Sequence, residues 1–188
     1  MKFDPQKHHR RSIRLKGYDY TQAGAYFVTM VTHQREPLFG EIVDREMRLS
    51  PMGQIADEHW RAIPEHFPHV ELGAYVVMPN HVHGIIIITD GGGTPWRAPT
   101  HAPTDNIEKF GKPVSGSLAT IIRQYKSSVT RRIQKELYGL DISSPTIWQR
   151  NYYEHIIRNK AAYNRIHRYI ESNIDNWAKD NENSVKSK

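Results

Sequence analysis

Two histidines open the chemistry of this chain. They lie in the run Val76-Val77-Met78-Pro79-Asn80-His81-Val82-His83-Gly84-Ile85-Ile86. Alternate residues of a strand share a face, so His81 and His83 project side by side while Val82, Ile86 and Ile88 can be buried on the other face. Two neutral imidazoles at that spacing can grip one divalent cation. A polar pair entering an apolar strand directly after a Pro-Asn turn is costly to place there without a partner. Other histidine enzymes fit less well. A histidine-triad hydrolase wants a third His where Ile85 stands, a zincin wants its pair on a helix with Glu between, and a zinc deaminase wants Cys, which the chain lacks.

The second signal is NKAAYNRIHRYIESNIDNW, residues 159 to 177. Tyr163, Ile166, Ile170, Ile174 and Trp177 recur at three- and four-residue steps and predict the core stripe of a helix from about Asn159 to Trp177. Tyr169 and Asn173 are four apart on an adjacent flank, with Asn176 nearby. A tyrosine on that flank suits two roles: a boundary residue with a packed ring and wet hydroxyl, or a nucleophile. With an ordinary pKa of roughly 10, only about one phenol in a thousand is ionised at neutral pH. A cation that polarises the attacked phosphate reduces that handicap. The chain holds both halves of such a device, and the Asn173 amide oxygen is available as a third ligand.

Several elements must position these groups. GAYFVTMVTH, residues 24 to 33, places Tyr26, Val28, Met30 and Thr32 on one side and Phe27 and Val31 on the other, which predicts a central strand apolar on both faces. Ser50 and Pro51 read as the cap and first residue of a helix carrying Ile55, Trp60 and Ile63. Residues 70–78 and 81–89 predict a hairpin split at Pro79-Asn80. Residues 90–113, rich in Gly, Pro and Thr without periodicity, read as a long mobile loop. From Ser117, a helix carries Leu118, Ile121, Ile122, Tyr125, Val129, Ile133 and Leu137 on one face, leaving Arg123, Lys126, Arg131 and Lys135 in or near solvent. A short extended piece, 146–158, leads into the last helix. The polar tail, 179–188, is expected to fray. The order predicts one α+β domain over 1–188, a mostly antiparallel sheet with helices packed on it.

Composition narrows the partners. The formal charge of +6 and a pI near 9.5 are compatible with a polyanion. Six Lys or Arg fall between Lys2 and Lys16, an N-terminal arm (1–17) that includes Arg10, Arg11 and Arg14, and seven between Lys109 and Lys135. These stretches read either as phosphate-binding surfaces or as solvated faces. With no Cys there is neither disulfide nor thiolate zinc site. The first residues lack the apolar core of a signal peptide, and Gly84 to Ile88 is too short to span a bilayer, so a cytoplasmic protein without membrane association is expected.

Three segments in this order, AYFVTMVT, YVVMPNHVHGIIII, and WQRNYYEHIIRN followed by IHRYIESN, resemble the bacterial single-tyrosine HUH transposases, in particular the REP-associated tyrosine transposases. The resemblance spans about residues 14 to 178. It implies a ferredoxin-like sheet and a strand transferase that cuts and rejoins single-stranded or hairpin DNA through a 5′-phosphotyrosine. Tyr169 would be the nucleophile; His81, His83 and Asn173 would hold Mg²⁺ or Mn²⁺. Trp148, Gln149, Tyr153, His155 and Arg158 match the segment before the last helix. Together with Arg10, Arg11, Arg14, Arg123, Lys126, Arg131 and Arg150, Arg158 is an expected DNA contact. Tyr152 and Tyr153 compete with Tyr169, which is favoured because only it has a helical amide partner four residues on. The family includes monomers and dimers, so either state is compatible. A DNA-binding protein with a degenerate site, and a water-using metal phosphohydrolase, are the competing readings.

Overall fold

The computed structural model describes residues 15, 18–90, 114–139, 145–180 and 182–183. Arg10, Arg11 and Arg14, with nearly all of the expected arm and loop, therefore lie outside the described residues.

The first strand, β1 (Gly24–Val31), leads through a short hairpin, β2 (Gly40–Val43) and β3 (Glu46–Leu49), to helix α1 (Pro51–Arg61) and one further turn, α2 (Ile63–His66). Strands β4 (Val70–Met78) and β5 (His81–Ile88) follow, then α3 (Leu118–Leu137), β6 (Tyr153–Ile157) and α4 (Lys160–Glu171). The main sheet has the order β4-β5-β1-β6, with every neighbouring pair antiparallel. Leaving the small hairpin aside, strand-helix-strand-strand-helix-strand in this order is the ferredoxin-like arrangement, an α+β fold as the periodicities predict.

Each face has its own helices because the alternation of β1 and β5 is apolar both ways. Tyr26, Val28 and Met30 of β1 join Val82, Ile86 and Ile88 of β5 in a core with Trp60 of α1 and Ile121, Ile122, Tyr125, Val129 and Ile133 of α3. The opposite face carries Ala25, Phe27, Ile85 and Ile87 and is covered by Ala162, Tyr163, Ile166 and Ile170 of α4. His81 and His83 share that second face. Gly84 is required on the first: a Cβ there would fall 2.2 Å from the indole of Trp60, which is fully buried. Any side chain at 84 would push Trp60 off the sheet and disturb the strand segment holding His83.

The caps follow the sequence closely. The Ser50 hydroxyl accepts from the Gly53 N–H at 3.1 Å, and the Asn159 side chain from the Ala162 N–H at 2.8 Å. Three expectations need correction. The last helix stops at Glu171 rather than Trp177, because Ser172-Asn173-Ile174-Asp175-Asn176 offers the backbone competing partners: Ser172 Oγ donates to the Tyr169 carbonyl and Asn176 Nδ2 to the Ser172 carbonyl. Leu137 is exposed at the fraying end of α3 rather than part of its core stripe. The β2–β3 hairpin was missed. Its two turn residues, Asp44 and Arg45, have φ of 53° and 64°, a turn usually signalled by Asn or Gly.

Candidate active site

The register Val31↔His81 and Thr29↔His83 sets both histidines against the end of β1. Their rings lie 4.3 Å apart, and both are almost wholly buried. Burial drives each imidazole down to about 3, with His81 adding to the effect on His83. Both are therefore neutral at ordinary pH and can ligate a metal without first losing a proton.

The partners of His81 determine its tautomer. Asn80, fully buried in the turn, donates through Nδ2 to the carbonyls of Arg35 (3.1 Å) and Glu182 (2.6 Å). Both partners are acceptors, so the amide can face only one way, and its oxygen meets His81 Nδ1 at 2.9 Å. That ring nitrogen must carry the proton. His81 Nε2 is left with a lone pair, buried and without a hydrogen-bond partner among the described residues. Thr29 Oγ1 holds His83 Nδ1 at 2.8 Å in the corresponding way. Such outer partners orient metal-binding imidazoles and raise their basicity. Asn80→Ala is expected to weaken divalent-ion binding by about 10- to 100-fold. In the metal-free protein it should also replace the single Nδ1–H form of His81 with a mixture, read from the ¹⁵N shifts of its ring. Unchanged tautomer and affinity would remove Asn80 from the site.

The nucleophile candidate closes over this pair. The Tyr169 hydroxyl lies 3.2 Å from His83 Nε2, and its ring stands edge-on to Phe27 at 6.1 Å. Burial raises the phenol pKa, while a hydrogen bond from the Asn173 side chain works the other way. Although α4 ends before Asn173, the turn that follows keeps this residue beside Tyr169. Asn173 is buried, and its Oδ1 has no hydrogen-bond partner among the described residues. Asp180 arrives from the C-terminal segment, and His81, His83 and Asp180 each bring a ligand atom to within 4.8 Å of the others. An unpaired imidazole nitrogen, an unpaired amide oxygen and a carboxylate are suitable donors for one divalent cation.

These groups open onto a cleft of about 670 Å³ whose lining includes His83, Tyr169, Asn173, Asp180, Gln149, Asn151, Tyr152 and Tyr153. The rival Tyr153 is half exposed in the same cleft and edge-on to Phe27 at 6.2 Å. The Tyr169 hydroxyl, by contrast, meets His83 directly. The cations lining the cleft are Arg35 and Lys179, neither singled out by the sequence. Arg35 and its neighbour Gln34 have φ of 57° and 53°, a turn with no local sequence signal, and Arg35 pairs with Glu182 at 2.9 Å. Asp180 and Glu182 were overlooked because they belong to a polar segment expected to fray.

The expected DNA contacts are scattered. Arg123 and Arg131 are exposed on α3, across the sheet from the histidines, and Arg150 and Arg158 are exposed elsewhere; none lines the cleft. Lys126, expected in or near solvent, is half-buried and tied to the chain. Its ammonium donates to the carbonyls of Gln149 (2.5 Å) and Asn151 (3.3 Å) and lies 5.7 Å from the centre of the Trp148 ring. Burial lowers it to about 8.

No family model matches the chain. It is similar to an uncharacterized protein of Haemophilus influenzae, with 38% identity over 179 residues, 95% of this chain and 96% of that one. Among solved structures it is similar to a REP-associated tyrosine transposase bound to a REP hairpin, at a TM-score of 0.50 and 21% identity, covering 87% of this chain and 70% of that one. No helix among the described residues is long and apolar enough to cross a membrane. The chain belongs to one family with the Haemophilus influenzae protein, and it shares its fold with that REP-associated tyrosine transposase.

Proposed function

We propose that this protein is a metal-dependent DNA strand transferase that breaks and rejoins single strands through a covalent link to Tyr169. The observation that carries the reading is the placement of the Tyr169 hydroxyl 3.2 Å from His83 Nε2, with the unpaired His81 Nε2 and Asn173 Oδ1 buried in the same site. His81, His83 and an oxygen from Asn173 or Asp180 would hold Mg²⁺ or Mn²⁺. When bound, the ion would polarise the phosphate and offset its charge.

Tyr169 Oη attacks the phosphorus. A bond from Oη to phosphorus forms, the bond to the 3′ oxygen breaks, the phenolic proton passes to solvent, and the 3′ oxygen leaves and takes up a proton. The product is a 5′-phosphotyrosine and a free 3′-hydroxyl. Attack by another 3′-hydroxyl reverses the step and joins strands, with no outside energy source because bond number and type are preserved. Thr29 and Asn80 hold the imidazoles, and Phe27 holds the Tyr169 ring from below. The substrate class is single-stranded or hairpin DNA, which fits a neighbour in fold that was solved on a hairpin and the net charge of +6. The place of action is the cytoplasm.

The direct test incubates the protein with Mg²⁺ or Mn²⁺ and end-labelled hairpin oligonucleotides, then separates the products under denaturing conditions. A protein–DNA band that survives denaturation, lost with chelator, is expected. Cleavage without such a band would assign water as the nucleophile, and binding without cleavage would leave a DNA-binding protein.

A further inference from the structure

Residues 147–151, which lead into β6, are held far more tightly than a connection requires. The Ile147 carbonyl accepts from the His33 N–H, and the Gln149 N–H donates to the Val31 carbonyl, both at 2.9 Å. Trp148 is buried against Phe39 and Tyr125, with ring centres 5.1 and 5.8 Å away. From α3, Lys126 reaches the carbonyls of both Gln149 and Asn151. Withdrawing an ammonium from water to hold two loop carbonyls is costly. It makes sense where the side chains of that loop must keep fixed positions.

Gln149 and Asn151 both line the cleft onto which Tyr169 opens. Neither side-chain amide has a hydrogen-bond partner among the described residues. Beside them Tyr153, half exposed, has its ring set by Phe27. Two amides offer paired donors and acceptors, and an aromatic ring offers a flat apolar surface. This is the chemistry that recognises a planar heterocycle with a hydrogen-bonding edge, not a phosphate, for which these three side chains supply no cation. A cleft of about 670 Å³ suits one small ligand rather than a duplex.

We propose that Gln149 and Asn151, with Tyr153, form a subsite for one unpaired nucleobase next to the phosphate that Tyr169 attacks, and that these two amides select the base. Tyr153 stacks on the base without distinguishing its kind. The amides read its edge, where each unpaired base presents its donors and acceptors in a different order. Lys126 is a positioning residue that keeps the two amides in register. The proposal rests on the strand-transferase reading for its substrate, but base selection can be measured without any chemistry.

The test uses the full chain in chelator, with fluorescence anisotropy of labelled single-stranded dA, dC, dG and dT decamers and a decamer of abasic sugar phosphate. Wild type should bind the tightest homopolymer about tenfold or more tighter than the weakest. It should bind the abasic strand most weakly of all. The Gln149→Ala/Asn151→Ala double variant should bring the four homopolymers to within about twofold of one another, leaving abasic binding unchanged. Tyr153→Ala should weaken all base-bearing strands together, with their order kept. A double variant that keeps the wild-type order, or a wild type that binds all strands alike, overturns the subsite. Adduct formation on hairpin DNA, run in parallel with metal, separates the two readings. An adduct with unchanged base order removes the subsite alone, whereas base order lost in the double variant without any adduct removes the transferase and leaves the subsite.

Discussion

Tyr169→Phe is expected to lose the covalent adduct and strand cleavage together, by about a thousandfold or more, while DNA and metal binding stay near the wild-type level. Phe retains the ring that stands edge-on to Phe27 and removes only the oxygen 3.2 Å from His83 Nε2. Little packing changes, so thermal stability should move by less than about 1 kcal/mol. Tyr152→Phe and Tyr153→Phe are the controls. Both side chains line the cleft, but the hydroxyl placed beside His83 Nε2 is that of Tyr169, so both variants should still form the adduct. Peptide mapping by mass spectrometry identifies the modified residue and the 5′ polarity in one measurement. DNA found on Tyr152 or Tyr153 would reassign the nucleophile within the same reaction class. Cleavage that persists in Tyr169→Phe with no adduct anywhere would end the transferase reading.

The second large effect belongs to His81 and His83. Replacing either with Ala should abolish metal-dependent cleavage and weaken divalent-ion binding, measured by calorimetry, because each removes one buried donor nitrogen. Their burial adds a signature independent of activity. In the metal-free protein both imidazoles titrate near 3, against an ordinary value of about 6.5 in the unfolded chain. Between those values the unfolded chain binds protons that the folded chain refuses. Stability is therefore complete above about 6.5 and is lost as the pH falls toward 3. Each histidine contributes at most about 1.4 kcal/mol per pH unit in that window. Chelator-treated wild type should thus melt at steeply lower temperatures as it is acidified, and either Ala variant should flatten the slope. A slope unchanged in both variants would show that the pair is not held neutral in the fold. Unchanged cleavage in both would sink the ligand assignment.

The sequence carries what depends on local periodicity. Alternation alone places His81 and His83 on the face opposite Val82 and Ile86, and β5 folds that way because both of its faces are covered. Helical spacing brings Tyr169 and Asn173 to one flank, and Ser50, Ser117 and Asn159 mark three helix starts because a side-chain oxygen there satisfies an amide the helix cannot. The antiparallel α+β class follows from the same patterns.

Tertiary structure decides which distant groups meet that local frame. Asp180, Arg35 and Lys179 reach the cleft because the chain reverses after Glu171 and because Gln34 and Arg35 adopt left-handed conformations with no sequence signature. Lys126 was expected in or near solvent by its place on the helical wheel; which groups it would hold, the Gln149 and Asn151 carbonyls, follows only from the pairing of Gln149 with β1. The proton on His81 is set by Asn80 only because Arg35 and Glu182, 45 and 102 residues away, present carbonyls that leave the amide one orientation. Strand and helix repeats follow from steric preferences a few residues long, whereas the carboxylate beside the histidines, the tautomer and the shape of the cleft depend on long-range packing that no short pattern encodes.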